Sequence, residues 1–181
     1  MKTVGILISG RGSNMMALVE AGVPVGLVAS DKPDAPGLGW ARDRGIPTFA
    51  LSPKGIGKAA YEAQVDAALR EAGCELIALA GYMRLLSDDF VARWRDRIVN
   101  IHPSLLPKYK GLDTHARAIA AGDTMAGCSV HVVTEELDAG ALLGQAEVPV
   151  LPGDGPDTLA RRVLEAEHRL YPQVLKEFAS R

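Results

Sequence analysis

The sequence predicts a doubly wound α/β domain: a mostly parallel sheet with helices on both faces, a late antiparallel strand pair and a long C-terminal helix. Three patterns predict it. Short, near-continuously apolar runs recur up to His102 with helix-period segments between several of them, as in strands buried on both faces of a parallel sheet. From Ser129, two strand-like segments follow one another with no helix between them, which suits antiparallel neighbours. The last stretch, from about Pro156, places apolar residues at helical spacing.

Val4–Ile8 opens the chain as a strand by its unbroken apolar run. Ser9-Gly10-Arg11-Gly12-Ser13-Asn14 follows and leads into a helix over Asn14–Ala21. Glycines allow a tight turn, and unpaired N–H groups at a helix N-terminus attract an anion. The dinucleotide fingerprint needs a third glycine where Met15 stands, and no Lys-Ser/Thr pair marks a nucleoside-triphosphate loop. Two readings stand: a single phosphate held by Gly12, Ser13 and Asn14, or Ser13 merely capping the helix. Further strands are expected at Val23–Ala29, Pro47–Leu51, Leu76–Ala80 and Ile98–His102, with helices at Leu38–Arg44 and Lys58–Ala72. Asp31, just past the second strand, reads as a turn residue.

The fifth strand runs into Asn100-Ile101-His102-Pro103-Ser104-Leu105-Leu106-Pro107. Residues i and i+2 of a strand share a face, about 6–7 Å apart, so Asn100 and His102 point together, away from Val99 and Ile101. A neutral amide beside an imidazole suits chemistry on a carbonyl, one group polarising the oxygen and the other moving protons. The alternative is that both simply satisfy loop backbone groups. Lys108-Tyr109-Lys110 reads as a solvated basic cluster.

Ser129–Thr134 and Leu142–Val150 are the late strand pair, joined through Thr134-Glu135-Glu136-Leu137-Asp138-Ala139-Gly140. A histidine acting as general acid needs a carboxylate nearby to stabilise its imidazolium, and Asp138 lies on the best-placed loop for this. On the final helix, Leu159, Val163, Ala166, Leu170 and Tyr171 spread over one face, and Glu167 falls within that apolar arc. A carboxylate there is costly unless paired, either by a local hydrogen bond or by ligand hydroxyls or an amine. Pro172 is expected to break or kink the helix.

The chain has 181 residues, 48% of them hydrophobic and 23% charged, with net charge −2. That length suits one domain with a core that needs no disulfides, and the charge gives no argument for nucleic acid or an anionic membrane. The first apolar run ends at Ser9, short for a signal segment, and no run approaches the ~18–20 residues of a membrane span; a soluble, cytoplasmic protein is expected. Cys74 and Cys128 match no metal or redox spacing and read as buried free thiols. His102, His115, His131 and His168 form no i, i+4 pair and have no cysteine nearby, so no metal is expected.

Taken together, Ile8-Ser9-Gly10-x-Gly12-Ser13-Asn14, Ala80-Gly81-Tyr82-Met83-Arg84-Leu85-Leu86-Ser87, the Asn100–Pro107 block, Ser129-Val130-His131 and Glu136-Leu137-Asp138-x-Gly140 resemble the 10-formyltetrahydrofolate-dependent formyltransferases. The first loop and Glu167-His168 narrow the resemblance to the phosphoribosylglycinamide formyltransferases, over Val4 to about Phe178. The resemblance implies a single formyltransferase-like domain over 1–181, with a ribonucleotide-binding half at about 1–100 and a folate-binding and catalytic part at about 101–181. It implies formyl transfer from 10-formyltetrahydrofolate to the glycine amine of glycinamide ribonucleotide in purine biosynthesis, without a metal, by a monomer or homodimer.

Residue by residue, the resemblance makes Asn100, His102 and Asp138 the catalytic set. Gly12, Ser13, Asn14, Leu164, Glu165, Ala166 and Glu167 would bind the ribonucleotide. Lys58, Met83, Arg84, Leu85, Leu86 and Asn100 would contact the folate, with Thr134, Glu135, Glu136, Leu137 and Asp138. Two departures stand out. Gly111-Leu112-Asp113-Thr114-His115 has an aspartate where the family pattern has histidine, removing a cationic donor. Lys58 stands where an arginine is frequent, keeping the charge but not the planar fork. Family members acting on initiator tRNA carry a further C-terminal domain and the related hydrolases a further N-terminal one, neither of which is expected in 181 residues. A non-catalytic nucleotide-binding module would use the first loop but leave Asn100, His102 and Asp138 without a role.

Overall fold

A computed structural model describes all 181 residues, Met1–Arg181. Its strands are β1 (Val4–Ile8), β2 (Val25–Ser30), β3 (Thr48–Ala50), β4 (Leu76–Leu79), β5 (Ile98–His102), β6 (Met125–Val132) and β7 (Leu142–Pro149). Its helices are α1 (Ser13–Glu20), α2 (Pro36–Asp43), α3 (Lys58–Glu71), α4 (Asp88–Arg93), α5 (Thr114–Ala120) and α6 (Pro156–Ala179). One seven-stranded sheet takes the order β3-β2-β1-β4-β5-β6-β7. β1 to β5 are parallel, whereas β6 and β7 run antiparallel to their neighbours. The predicted fold class is the observed one.

Alternation along the parallel strands feeds two cores. Val4, Ile6 and Ile8 of β1 pack with α1, α2 and α6, while Leu7 joins Tyr61, Val65 and Leu69 of α3 and Phe90 and Val91 of α4 on the other face. Val99 and Ile101 belong to the first core, which leaves Asn100 and His102 on the opposite side of β5. Both cysteines are buried and unpaired, and burial pushes their thiols up, Cys74 to about 11 and Cys128 to about 12. No helix is long and apolar enough to cross a membrane.

Three expectations need correction. β6 starts at Met125, four residues before the expected Ser129, because Met125-Ala126-Gly127-Cys128 carries little β-branched or aromatic character. α4 and α5 were not expected; at six and seven residues they are too short to show a helical period. Finally, α6 continues through Pro172. A proline inside a helix costs about 3 kcal/mol, and here Tyr171, Pro172, Val174 and Leu175 are all buried against the sheet, so packing holds the helix that local propensity would end.

From β1 the chain winds outward to β2 and β3, then returns to β4 on the other side of β1. Such a reversal opens a crevice beyond the carboxyl ends of the two central strands. Tyr171 stiffens this edge from below: its buried hydroxyl donates to Leu79 O at 2.9 Å and Val99 O at 3.1 Å, tying β4 to β5 beside Asn100. Tyr171→Phe keeps the shape but removes the one proton that both carbonyls share. A loss of about 1–3 kcal/mol in stability is expected, read as a lower urea midpoint at unchanged m-value.

Candidate active site

A cleft of about 760 Å³ opens beyond β1, β4 and β5, within the range of small-molecule sites. Its walls come from the β1–α1 loop, Ala80–Leu85, the segment after His102, Leu137-Asp138 and one face of α6.

At one end, the chain leaves β1 through Ser9 to Arg11 and turns into α1 at Gly12, whose φ of 72° is left-handed and suits glycine. Gly12, not Ser13, is the N-cap, and no side chain caps the helix. The first intrahelical bond runs from Met16 N–H to Gly12 O, so the N–H groups of Ser13, Asn14 and Met15 precede it, as at an anion-binding helix start. Arg11 adds a cation to the same wall. Asn14 is buried and donates from Nδ2 to Glu167 Oε2 at 3.0 Å, while its buried Oδ1 has no partner. Glu167 lines the cleft from α6, and burial raises its carboxyl above the usual range, the Asn14 amide opposing.

Asp31 is not a surface turn residue. It is 7% exposed and accepts from Ser9 Oγ at 2.6 Å, and Ser9 Oγ in turn accepts from Met83 N–H at 2.9 Å. One hydroxyl thus links the ends of β2, β1 and β4.

At the other end, His102 closes β5 with its side chain 8% exposed. Its Nδ1 lies 3.5 Å from Asp138 Oδ2, and its Nε2 lies 2.8 Å from the main-chain oxygen of Tyr109. Both ring nitrogens therefore face oxygen acceptors. Asp138, in a left-handed conformation at φ 50°, also accepts from Gly111 N–H at 2.9 Å. Gly140 lets this loop return, because a Cβ there would sit 1.7 Å from Val132 O.

Antiparallel pairing of β5 with β6 sets His131 opposite Asn100. His131 Nε2 lies 3.4 Å from Asn100 Nδ2 and 3.6 Å from Asp138 Oδ1, with Nδ1 3.1 Å from Val132 O. Burial holds His131 below the usual histidine range, against the pull of Asp138. A neutral ring that donates from Nδ1 keeps a lone pair at Nε2 for the Asn100 amide, which orients that amide at the cleft floor.

The structure brings Gly12, Ser13, Asn14, Leu164 and Glu167 into the cleft wall, together with Met83, Arg84, Leu85, Asn100, His102, Leu137 and Asp138. It leaves others outside. Glu165 is exposed and Ala166 is in the core, because only Ala160, Val163, Leu164 and Glu167, spaced i, i+3, i+4, i+7, share the cleft face of α6. Leu86 packs on the second core. Lys58 is an exposed residue at the start of α3. Thr134 bonds Glu136 O, and Glu135 pairs with Arg95. The Tyr109 carbonyl, Gly111 and His131 entered no site prediction from the residue pattern, although His131 sits in one of the resembling blocks. Met83, Leu85 and Leu112 are 69%, 68% and 75% exposed around the cleft, apolar surface of the kind that receives a flat ligand. Asp113 also lines it, at φ 56° as the N-cap residue of α5 but with no side-chain capping bond.

Comparison with known proteins finds matches over almost the whole chain. A family model described as formyl transferase matches residues 1–175. A trifunctional purine biosynthetic protein adenosine-3 from Drosophila melanogaster is 46% identical over 183 residues, covering 96% of this chain but 14% of that protein. A phosphoribosylglycinamide formyltransferase from Escherichia coli is 44% identical, covering 96% of this chain and 85% of that one. The crystal structure of phosphoribosylglycinamide formyltransferase from Brucella melitensis superposes with a TM-score of 0.94 at 52% identity, covering 99% and 96% of the two chains.

Glu167 offers a test in the absence of ligand. Its folded value lies above its unfolded one, so its contribution to stability is complete below the unfolded value and is lost as pH rises through the folded one. Glu167→Gln keeps an acceptor for Asn14 and removes the buried charge. The variant is expected to unfold at higher urea concentration than the wild type at neutral pH. That advantage should vanish below about pH 4, where the wild-type carboxyl is protonated in both states.

Proposed function

This chain belongs to the formyl transferase family, and we propose that it moves a formyl group from 10-formyltetrahydrofolate to the glycine amine of N1-(5-phospho-D-ribosyl)glycinamide. The products are the N2-formyl ribonucleotide and tetrahydrofolate, a step of purine biosynthesis. The observation that carries the reading is one cleft with an anion-binding helix start at one end and, at the other, an amide and an imidazole flanked by acceptors.

The α1 N-terminus and Arg11 take the phosphate, and Glu167 takes ribose hydroxyls, which gives a buried carboxyl on an apolar face its partner. The exposed Met83 and Leu85, with Arg84 and Leu137, receive the folate. Its formyl carbon then lies over Asn100 and His102. The neutral amine attacks that carbon. Oxygen gains charge as the new C–N bond forms, and the Asn100 amide N–H and the His102 cation stabilise it. The bond to N10 then breaks, the amine loses a proton and N10 gains one. Because both nitrogens of His102 are already engaged, water carries this proton. Asp138 keeps the imidazolium paired throughout.

Removing one group that stabilises such an oxyanion typically costs about 10²–10³ in turnover. His102→Ala and Asp138→Asn are each expected to lose at least that factor while still binding the ribonucleotide. Loss of the formyl donor, followed with and without acceptor, checks the reading: acceptor-independent loss marks a hydrolase, and no loss in the wild type marks a binding module.

A further inference from the structure

His102 has a second partner that the chemistry above leaves without a purpose. Its Nε2–H donates to the main-chain oxygen of Tyr109 at 2.8 Å. Tyr109 sits at φ 56°, a left-handed conformation that a bulky aromatic residue avoids. Something must hold it there. Its hydroxyl donates to Asp123 Oδ2 at 2.6 Å, and the Arg117 guanidinium lies 5.2 Å from its ring centroid. Ser104 Oγ donates to the preceding carbonyl, Lys108 O, at 2.6 Å, and Lys108 Nζ reaches Asp123 at 3.4 Å. Neither the Tyr109 nor the Asp123 side chain lines the cleft.

We infer that Tyr109 and Asp123 are a positioning pair for His102, acting from outside the cleft. Asp123 pins the tyrosine ring, and the pinned ring keeps the residue left-handed. The carbonyl presented in this way holds one N–H of the imidazolium opposite Asp138. If φ relaxed to negative values, the Tyr109 peptide would rotate and its oxygen would leave the ring, freeing the imidazole to turn about its side-chain torsions. The hydrogen bond to Asp123 raises the Tyr109 hydroxyl and lowers the Asp123 carboxyl, so the link stays intact across neutral pH. This inference rests on the formyl-transfer reading for the use of His102, but not for its geometry.

The test uses Tyr109→Phe and Asp123→Ala, with Asp123→Asn as the conservative variant whose amide oxygen still accepts from the tyrosine. In the first two, kcat is expected to fall about tenfold, the worth of one hydrogen bond, with KM for both substrates within about twofold. The nitrogen-15-coupled Nε2–H resonance of His102 should also broaden or vanish. Asp123→Asn should recover most of both signals. Turnover within about twofold of wild type in Tyr109→Phe and Asp123→Ala, or an unchanged His102 resonance, overturns the inference. So does a fall in kcat matched by an equal rise in KM, which marks a general loosening of the cleft. The resonance is read without turnover, so an inactive wild type sinks the formyl-transfer reading alone, while an unmoved signal sinks the positioning pair alone.

Discussion

The carboxylate of Asp138 is the constraint on which the rest of the cleft depends. Its side chain is 6% exposed, yet three groups converge on it: Gly111 N–H donates at 2.9 Å, and His102 Nδ1 and His131 Nε2 lie at 3.5 Å and 3.6 Å. A charge so enclosed is costly unless it is met by opposite charge and hydrogen bonds. Its partners come from the end of β5, from β6 and from the loop before α5. Only the antiparallel addition of β6, in the register that sets His131 opposite Asn100, places all three around one point. The change from parallel to antiparallel pairing is thus more than a way to finish the sheet, because it builds the pocket that this charge occupies.

A comparable logic operates at the α1 end of the cleft with a second buried acid. Glu167 meets one amide, from Asn14, and burial raises its carboxyl, so the fold carries this acid at some cost in stability. The two ends are joined mechanically. Ser9 Oγ bridges Asp31 and Met83, so the β1–α1 loop and the loop that carries Met83, Arg84 and Leu85 share one anchor. Of the four non-glycine residues at positive φ, Tyr109, Asp113 and Asp138 surround His102 or line its cleft. Strain of this kind persists where the surroundings over-determine it.

What the sequence made legible follows from period and composition. β1 to β5 stood out because strands buried on both faces are apolar without interruption, and Glu167 stood out because it broke an apolar arc. Asn100 and His102 shared a face by strand geometry alone. The failures have equally physical causes. α4 and α5 are too short to show a period, and Pro172 was judged by local propensity where tertiary packing decides. Leu164, Glu165, Ala166 and Glu167 cannot all meet one ligand, because a helix turns about 100° per residue and shows only some of them to any surface. The Asp31–Ser9 bond and the Tyr109 carbonyl had no signal to find. The first is a long-range contact between polar residues, and the second is a main-chain group whose direction depends on a backbone angle.

The hydrogen-bond pattern also divides labour between the two histidines around Asp138. A general base needs a bare nitrogen facing its substrate, and His102 has none: one nitrogen faces a carboxylate and the other a peptide oxygen. His131 is more enclosed, donates from Nδ1 to its own strand at Val132 O and offers Nε2 to the Asn100 amide. Burial outweighs the pull of Asp138 there and keeps the ring neutral. His102 thus faces two oxygen acceptors, and the neutral ring that aims the Asn100 amide is His131.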